Sequence, residues 1–196
     1  MTSRASSSIL VVMALEAEAQ GRLQSEGADV LFTGVGKVNA SYRLTRRLLE
    51  LAAAGERPLV VNFGTAGSRH FATGAVVSCH RFVQRDMDVT GLGFAHGQTP
   101  FEDVPRMLAS ERRLEHLPAG ICASGDNFET RHHDSEFQVV DMEAYALAKV
   151  CLLEGVPFVC VKYISDGADE HAGVTWESAL PHAAAAFVDV YRTLRG

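Results

Sequence analysis

No apolar stretch in this chain reaches the roughly 18 residues that a membrane-spanning helix requires. Cys79, Cys122, Cys151 and Cys160 are the only cysteines, and none forms a C-x-x-C pair. Three of them lie in apolar runs, which predicts buried free thiols of a cytoplasmic protein rather than zinc ligands or disulfides. Basic charge is not in excess either: the formal net charge is -6, which argues against a nucleic-acid partner. Internal repeats, low-complexity tracts and linkers are absent, so 196 residues read as one domain. The opening "MTSRASSSILVVMALEAEA" has the Arg and the apolar run of a signal peptide, but Glu16 and Glu18 fall where cleavage should occur. Residues 1–8 are therefore expected to be a disordered lead-in and 9–196 the domain.

What is present alternates. "ILVVMA", "ADVLFTG", "PLVVNFGTAG", "HLPAGICASGDNF" and "PFVCVKYIS" read as strands, and "GAVVSCHRFVQRDMDVTGLG" as an extended strand leading into a loop. "KVNASYRLTRRLLELAAAG" and "DMEAYALAKVCLLEG" read as helices closed by Gly55 and Gly155. The last helix is "WESALPHAAAAFVDVYRTLRG", with Pro181 expected in its first turns. Valine-rich strands between helices predict an α/β domain whose sheet is covered on both faces. Ligands of such domains bind beyond the carboxyl ends of the strands.

Those ends carry "MALEAEA", "TGVGK", "NFGTAG", "ASGDNF" and "ISDGAD", each with glycine, a hydroxyl or a carboxylate. Neither "TGVGK" nor "NFGTAG" is a P-loop, because no Gly-Lys-Ser/Thr follows the spacers. Taken singly, Glu18 and Glu143 read as favourable charges in first helical turns, and Asp166 as a cap or turn residue. Taken together, these three acids converge on one sheet edge, a constellation suited to acid–base chemistry, and Asp141 and Asp169 are further acids beside the same apolar runs. His132, His133 and Asp134 lack the spacing of a zinc site and read as a solvated loop. Trp176, Phe128 and Phe94 fit a core as well as a ligand platform.

In order, "MALEAEA", "TGVGKVNAS", "NFGTAGS", "DMDVTGLGF" with "GQTP", "ASGDNF", "VVDMEAYALAKVC" and "YISDGAD" resemble the nucleoside phosphorylase and nucleosidase family, specifically the methylthioadenosine/S-adenosylhomocysteine nucleosidases. The resemblance implies a single-domain three-layer α/β/α fold with a central mixed, mostly parallel twisted sheet. It implies hydrolysis of a purine N-glycosidic bond through an oxocarbenium-like ribose, in nucleoside metabolism and methionine salvage, without cofactor or metal. Asp166 matches the acid that protonates the departing base, oriented by Ser165; to act near neutral pH it must hold or share a proton, which burial favours. Glu143 matches the acceptor of ribose hydroxyl hydrogen bonds, with Met142 below the sugar. Glu18 matches the residue that positions and deprotonates water, with Thr65 and Gly67 nearby.

Phe128 would stack on the base, and the backbone of Phe128 and Glu129 would read its edge. Trp176 matches an aromatic on a mobile segment covering the site, and Ala14, Val35, Asp141 and Lys162 complete the substrate-binding set. Leu92, Phe94 and Pro100 match residues that reach into a neighbouring subunit's site, which implies a homodimer.

The chain departs from the family in places. Lys162 stands where the family has arginine, Glu129 where the position is usually apolar, and the stretch from Glu18 to Gly34 lacks a strand pair. Asn62 replaces an arginine that binds phosphate in the related phosphorylases. A phosphorylase or a non-catalytic nucleoside-binding protein are the alternatives to a hydrolase.

Overall fold

Successive residues of the central strands enter opposite cores, as the two-residue period of a strand requires. Leu10, Val12, Val60 and Cys160 belong to one core; Val11, Met13, Val61, Phe63, Val159 and Val161 belong to the other. This double burial is why the strands read as continuous apolar runs. The computed structural model describes residues 8–129, 136–168 and 172–196. Its strands are β1 (Ile9–Met13), β2 (Asp29–Phe32), β3 (Leu59–Gly67), β4 (Val76–Gln84), β5 (Met107–Ala109), β6 (Ala119–Ser124), β7 (Val139–Asp141) and β8 (Phe158–Asp166). The helices are α1 (Glu16–Ala19), α2 (Arg22–Ser25), α3 (Lys37–Ala53), α4 (Ala144–Leu153) and α5 (Ala172–Arg195).

The fold is mixed α/β around a central sheet. Strands β1–β2, β1–β3, β3–β8, β4–β6 and β6–β7 pair in parallel, while β3–β7, β4–β5 and β4–β8 pair antiparallel. Leu44, Leu48 and Leu51 of α3 and Leu147 and Cys151 of α4 fill the first core. Ala183, Phe187 and Tyr191 of α5 fill the second with Ala19 and Leu23, and Phe63 stacks on Phe187 with ring centroids 5.1 Å apart. The four cysteines are free and buried. Among the described residues no helix is long and apolar enough to cross a membrane.

Several elements differ from the sequence reading. Glu143 is the N-cap residue of α4 rather than part of its first turn, because "VVD" before it pairs with β6 as the short strand β7. Pro181 lies well inside α5, which starts before "WESAL". Between the expected helix α1 and the expected strand β2, the short helix α2 is an element that the sequence reading did not have. The expected lead-in falls outside the described residues except for Ser8, whose carbonyl accepts a 2.7 Å hydrogen bond from Leu59 N–H. His132, His133, Asp134 and Asp169 also lie outside the described residues.

Candidate active site

Beyond the carboxyl ends of β1, β3 and β8, at the turn after β6 and the N-terminus of α4, lies a cavity of about 290 Å³. Ala14, Glu18, Val35, Thr65, Gly67, Phe128, Glu129, Asp141, Met142, Glu143, Ser165, Asp166 and Trp176 line it. Lys162 sits behind this wall, 1% exposed, with Nζ 2.8 Å from Asp141 Oδ2. Leu92, Phe94 and Pro100 do not line it. Leu92 is 72% exposed in a short 3-10 turn, and the Phe94 ring lies 5.3 Å edge-on from that of Phe101.

Glu18 is 4% exposed, and both its oxygens are engaged by neighbouring donors. Oε1 accepts from Thr65 N–H at 2.8 Å and from Thr65 Oγ1 at 2.7 Å, while Oε2 accepts from Leu15 N–H at 3.2 Å. The last of these closes the start of α1, so the helix-terminal role and the site position coexist. Trp176, in the early turns of α5, donates its indole N–H to Thr65 Oγ1 at 2.8 Å.

Asp166 reaches the cavity through an irregularity. The β3–β8 register pairs Ala66 with Ile164 and then Gly67 with Asp166, leaving Ser165 as the extra residue of a bulge that re-aims the strand end. Ser165 Oγ lies 2.7 Å from Asp166 Oδ2, and Ala168 N–H donates to Oδ1 at 2.9 Å. A Cβ at Gly67 would lie 2.7 Å from Asp166 Oδ1 and 3.0 Å from Ala168 Cβ, so a side chain there would displace the carboxylate.

Asp141 is occupied throughout. Its Oδ1 accepts from Ser124 Oγ at 2.5 Å, and Oδ2 accepts from Ala144 N–H and from Lys162 Nζ, each at 2.8 Å. Burial opposes its charge, but Lys162 and these donors outweigh it and lower the Asp141 pKa. Burial likewise opposes the Lys162 charge, yet Asp141 and the neighbouring acids hold its pKa well above the usual lysine value. The pair thus sets the N-terminus of α4 in place. Glu143, 8% exposed, accepts from Gly36 N–H at 2.8 Å. Burial, with Asp141 adding repulsion, pushes its pKa up to about 7.

The cavity also includes Leu15, Ala66, Arg85, Asn127 and Val140, none singled out in the sequence. Among the described residues no group of three or more His, Cys, Asp or Glu could hold a metal ion. Chemically, the wall offers carboxylates fixed by backbone donors and an aromatic edge, and among the described residues its two cations are already paired: Lys162 is tied to Asp141 and Arg85 to Glu129.

The model of the phosphorylase superfamily matches residues 19–194. A 5′-methylthioadenosine/S-adenosylhomocysteine nucleosidase of Geobacillus kaustophilus is 36% identical over 187 residues, covering 84% of this chain and 77% of that protein. One of Haemophilus influenzae is 34% identical over 188 residues, covering 84% and 79%. Among solved structures, a futalosine hydrolase mutant of Helicobacter pylori superposes with a TM-score of 0.80 at 22% identity, covering 93% of this chain and 97% of that one. An S-adenosylhomocysteine nucleosidase from Streptococcus pyogenes in complex with 5-methylthiotubericidin does so with a TM-score of 0.81 at 22% identity, covering 98% of each. At that identity the structural likenesses speak to the fold, and the sequence matches speak to the family. The chain belongs to the phosphorylase superfamily, among the relatives of its 5′-methylthioadenosine/S-adenosylhomocysteine nucleosidases.

Proposed function

We propose that this protein hydrolyses the N-glycosidic bond of a purine nucleoside of the methylthioadenosine/S-adenosylhomocysteine type, releasing the base and a ribose derivative. The observation that carries this reading is Glu18: a buried carboxylate on the cavity wall, its Oε1 fixed by Thr65. Such a group takes a proton from water and repels a phosphate dianion, by roughly 4 kcal/mol for unit charges 4 Å apart at an effective dielectric of 20. Asn62, where a phosphorylase would want arginine, is 2% exposed and spends its amide on Val12 and Phe63 carbonyls.

In this reading Asp166, oriented by Ser165, delivers a proton to a ring nitrogen of the base as the glycosidic bond breaks. Glu143 accepts hydrogen bonds from the ribose hydroxyls, and Met142 packs below the sugar. Glu18 takes one proton of the attacking water, whose oxygen bonds to the ribose carbon. The sum is one water consumed, one base and one free sugar formed. Phe128 stacks on the base, and Val35, Ala14 and Trp176 shape the remaining wall.

The domain spans 9–196, with helices layered on both faces of the sheet, a reading supported by the two cores. It works as a homodimer. Val38, Tyr42 and Leu153, 78%, 58% and 66% exposed, line a groove between α3 and α4, and Phe101 is 93% exposed. A second copy covering this apolar surface would bring Leu92, Phe94 and Pro100 to its neighbour's cavity. The buried free thiols fit a reducing cytoplasm, and the substrate class proposed above fits a place in nucleoside and methionine salvage.

The test is release of adenine or hypoxanthine from methylthioadenosine, S-adenosylhomocysteine, adenosine, inosine and futalosine, with and without phosphate. Release that does not need phosphate is the expected result and names the substrate. Strict phosphate dependence, or adenine binding without turnover of any nucleoside, overturns the hydrolase.

A further inference from the structure

Phe128 poses a problem of position. It is 55% exposed, so core packing does not hold its ring against a base. Its place depends on the turn that follows β6, residues 125–129. Two consecutive residues beyond the end of β4 grip that turn from both sides. The Arg85 guanidinium donates from Nη1 to Asn127 Oδ1 at 2.8 Å and to Glu129 Oε2 at 3.3 Å, and from Nη2 to the Asn127 carbonyl at 2.5 Å. Asp86 accepts from Asp126 N–H at 2.8 Å and pairs with Lys37, whose own N–H donates to Asp126 Oδ1 at 2.8 Å.

The guanidinium lies against Gly125, where a Cβ would come within 2.8 Å of its Cζ. Its side chain is 7% exposed, and Nε is buried without a hydrogen-bond partner among the described residues. Among those residues, all three hydrogen bonds that the guanidinium donates go to Asn127 and Glu129, so its contacts are concentrated on this one turn. A planar fork that can bond a side chain, a carbonyl and a carboxylate together is what arginine offers and lysine does not.

We propose that Arg85, seconded by Asp86, is a positioning residue for the base-binding end of the cavity, acting through residues 127–129 to fix the Phe128 ring. This rests on the nucleosidase reading above. Arg85 does no chemistry in it; it sets how well the base is held before the bond breaks.

Arg85→Met keeps the aliphatic stem and removes the fork, and Arg85→Lys keeps the charge alone. Free adenine is the probe of binding, by calorimetry, and methylthioadenosine hydrolysis supplies KM and kcat, with melting temperatures recorded for each protein. In the Met variant the adenine Kd and the KM should both rise by about tenfold to a hundredfold, with kcat changing less. The Lys variant should stay near the Met variant, since charge without the fork does not restore the grip. Gly125→Ala, which pushes the guanidinium off its seat, should raise KM in the same way.

Adenine Kd and KM within about twofold of wild type in both Arg85 variants would overturn the proposal. So would a fall in kcat with KM intact, which would place Arg85 among the reacting groups. If Arg85→Met does not fold, the Lys variant decides by the same measure. A wild-type protein that neither binds nor releases adenine overturns the nucleosidase reading itself, whereas an active wild type with unaltered variants overturns only the clamp.

Discussion

The carboxylate wall and the aromatic turn of the cavity are held by different means. Glu18, Glu143 and Asp166 are 4%, 8% and 5% exposed, and each takes a hydrogen bond from a backbone N–H of a strand, a strand-end turn or a helix-leading turn. Phe128 is 55% exposed and hangs on a turn tied by the side chains of Arg85 and Asp86. The wall is thus coupled to the core and should resist displacement. The turn is coupled to the rest of the molecule through two charged side chains rather than through packing, and should tune affinity with little effect on the fold.

The largest effect that sharpens this contrast is on turnover. Glu18→Gln and Asp166→Asn keep the shape and one acceptor oxygen of each carboxylate while removing the base and the acid, so kcat should fall by about 10²–10⁴-fold in each. Adenine should still bind both, because the turn is untouched. Calorimetry with adenine beside single-turnover hydrolysis checks the split. Near wild-type turnover in either variant removes that residue from the chemistry.

Stability should separate the two regions next. Lys162→Met strands Asp141 as an uncompensated buried charge next to Glu143, and should cost about 3–5 kcal/mol in denaturant unfolding. Phe128→Ala, at the exposed turn, should leave the unfolding midpoint nearly unchanged while weakening base binding by about 1–3 kcal/mol. Equal losses of stability in the two variants would mean that wall and turn are not held differently.

The parts of this design visible in the sequence were those written in local pattern. Strands buried on both faces appear as unbroken apolar runs, and acids placed at their ends stand out against them, which is how Glu18, Glu143 and Asp166 came into view. Strand β7 did not, since three residues beside a helix-like run carry no period of their own. Pro181 was misplaced because proline usually marks a first turn, whereas here α5 runs through it and packing on the second core offsets the lost hydrogen bond. Arg85 was invisible for a different reason. Its partners Asn127 and Glu129 lie 42 and 44 residues away, and nothing in "FVQRDMD" distinguishes it from an ordinary polar strand exit.

Acidity offers a finer test within the wall. Burial first, then the Asp141 charge, raises Glu143 from 4.5 to about 7. A carboxyl raised in the folded state contributes stability below its unfolded pKa, and that contribution is lost as pH rises through the folded value. Wild type should therefore lose stability relative to Glu143→Gln between about pH 4.5 and 7. Thermal melts at about pH 5 and about pH 8 on both proteins measure it. Over the same window the ionised form becomes the better acceptor for ribose hydroxyls. The wild-type KM for nucleoside should fall as pH rises, and Glu143→Gln should lack that dependence. A parallel pH course in the two proteins would show that Glu143 does not titrate there.

The smallest effect concerns how far rigidity extends from the wall. Trp176 bonds Thr65 Oγ1, and Thr65 Oγ1 bonds Glu18, so α5 reaches the proposed base through one hydroxyl. Glu18 also holds the Thr65 N–H at 2.8 Å, a bond that changes to the Trp176 or Thr65 side chain leave in place. Trp176→Phe therefore deletes only the outer link and should cost about 1 kcal/mol of transition-state stabilisation, a few-fold in kcat. Thr65→Val deletes the inner link as well and should cost more, while the backbone bond keeps it short of the Glu18→Gln loss. The ordering Trp176→Phe, Thr65→Val, Glu18→Gln is the discriminating result. If Trp176→Phe instead raises KM and spares kcat, the indole belongs functionally with Phe128, as a substrate contact, and the boundary between wall and turn moves to include it.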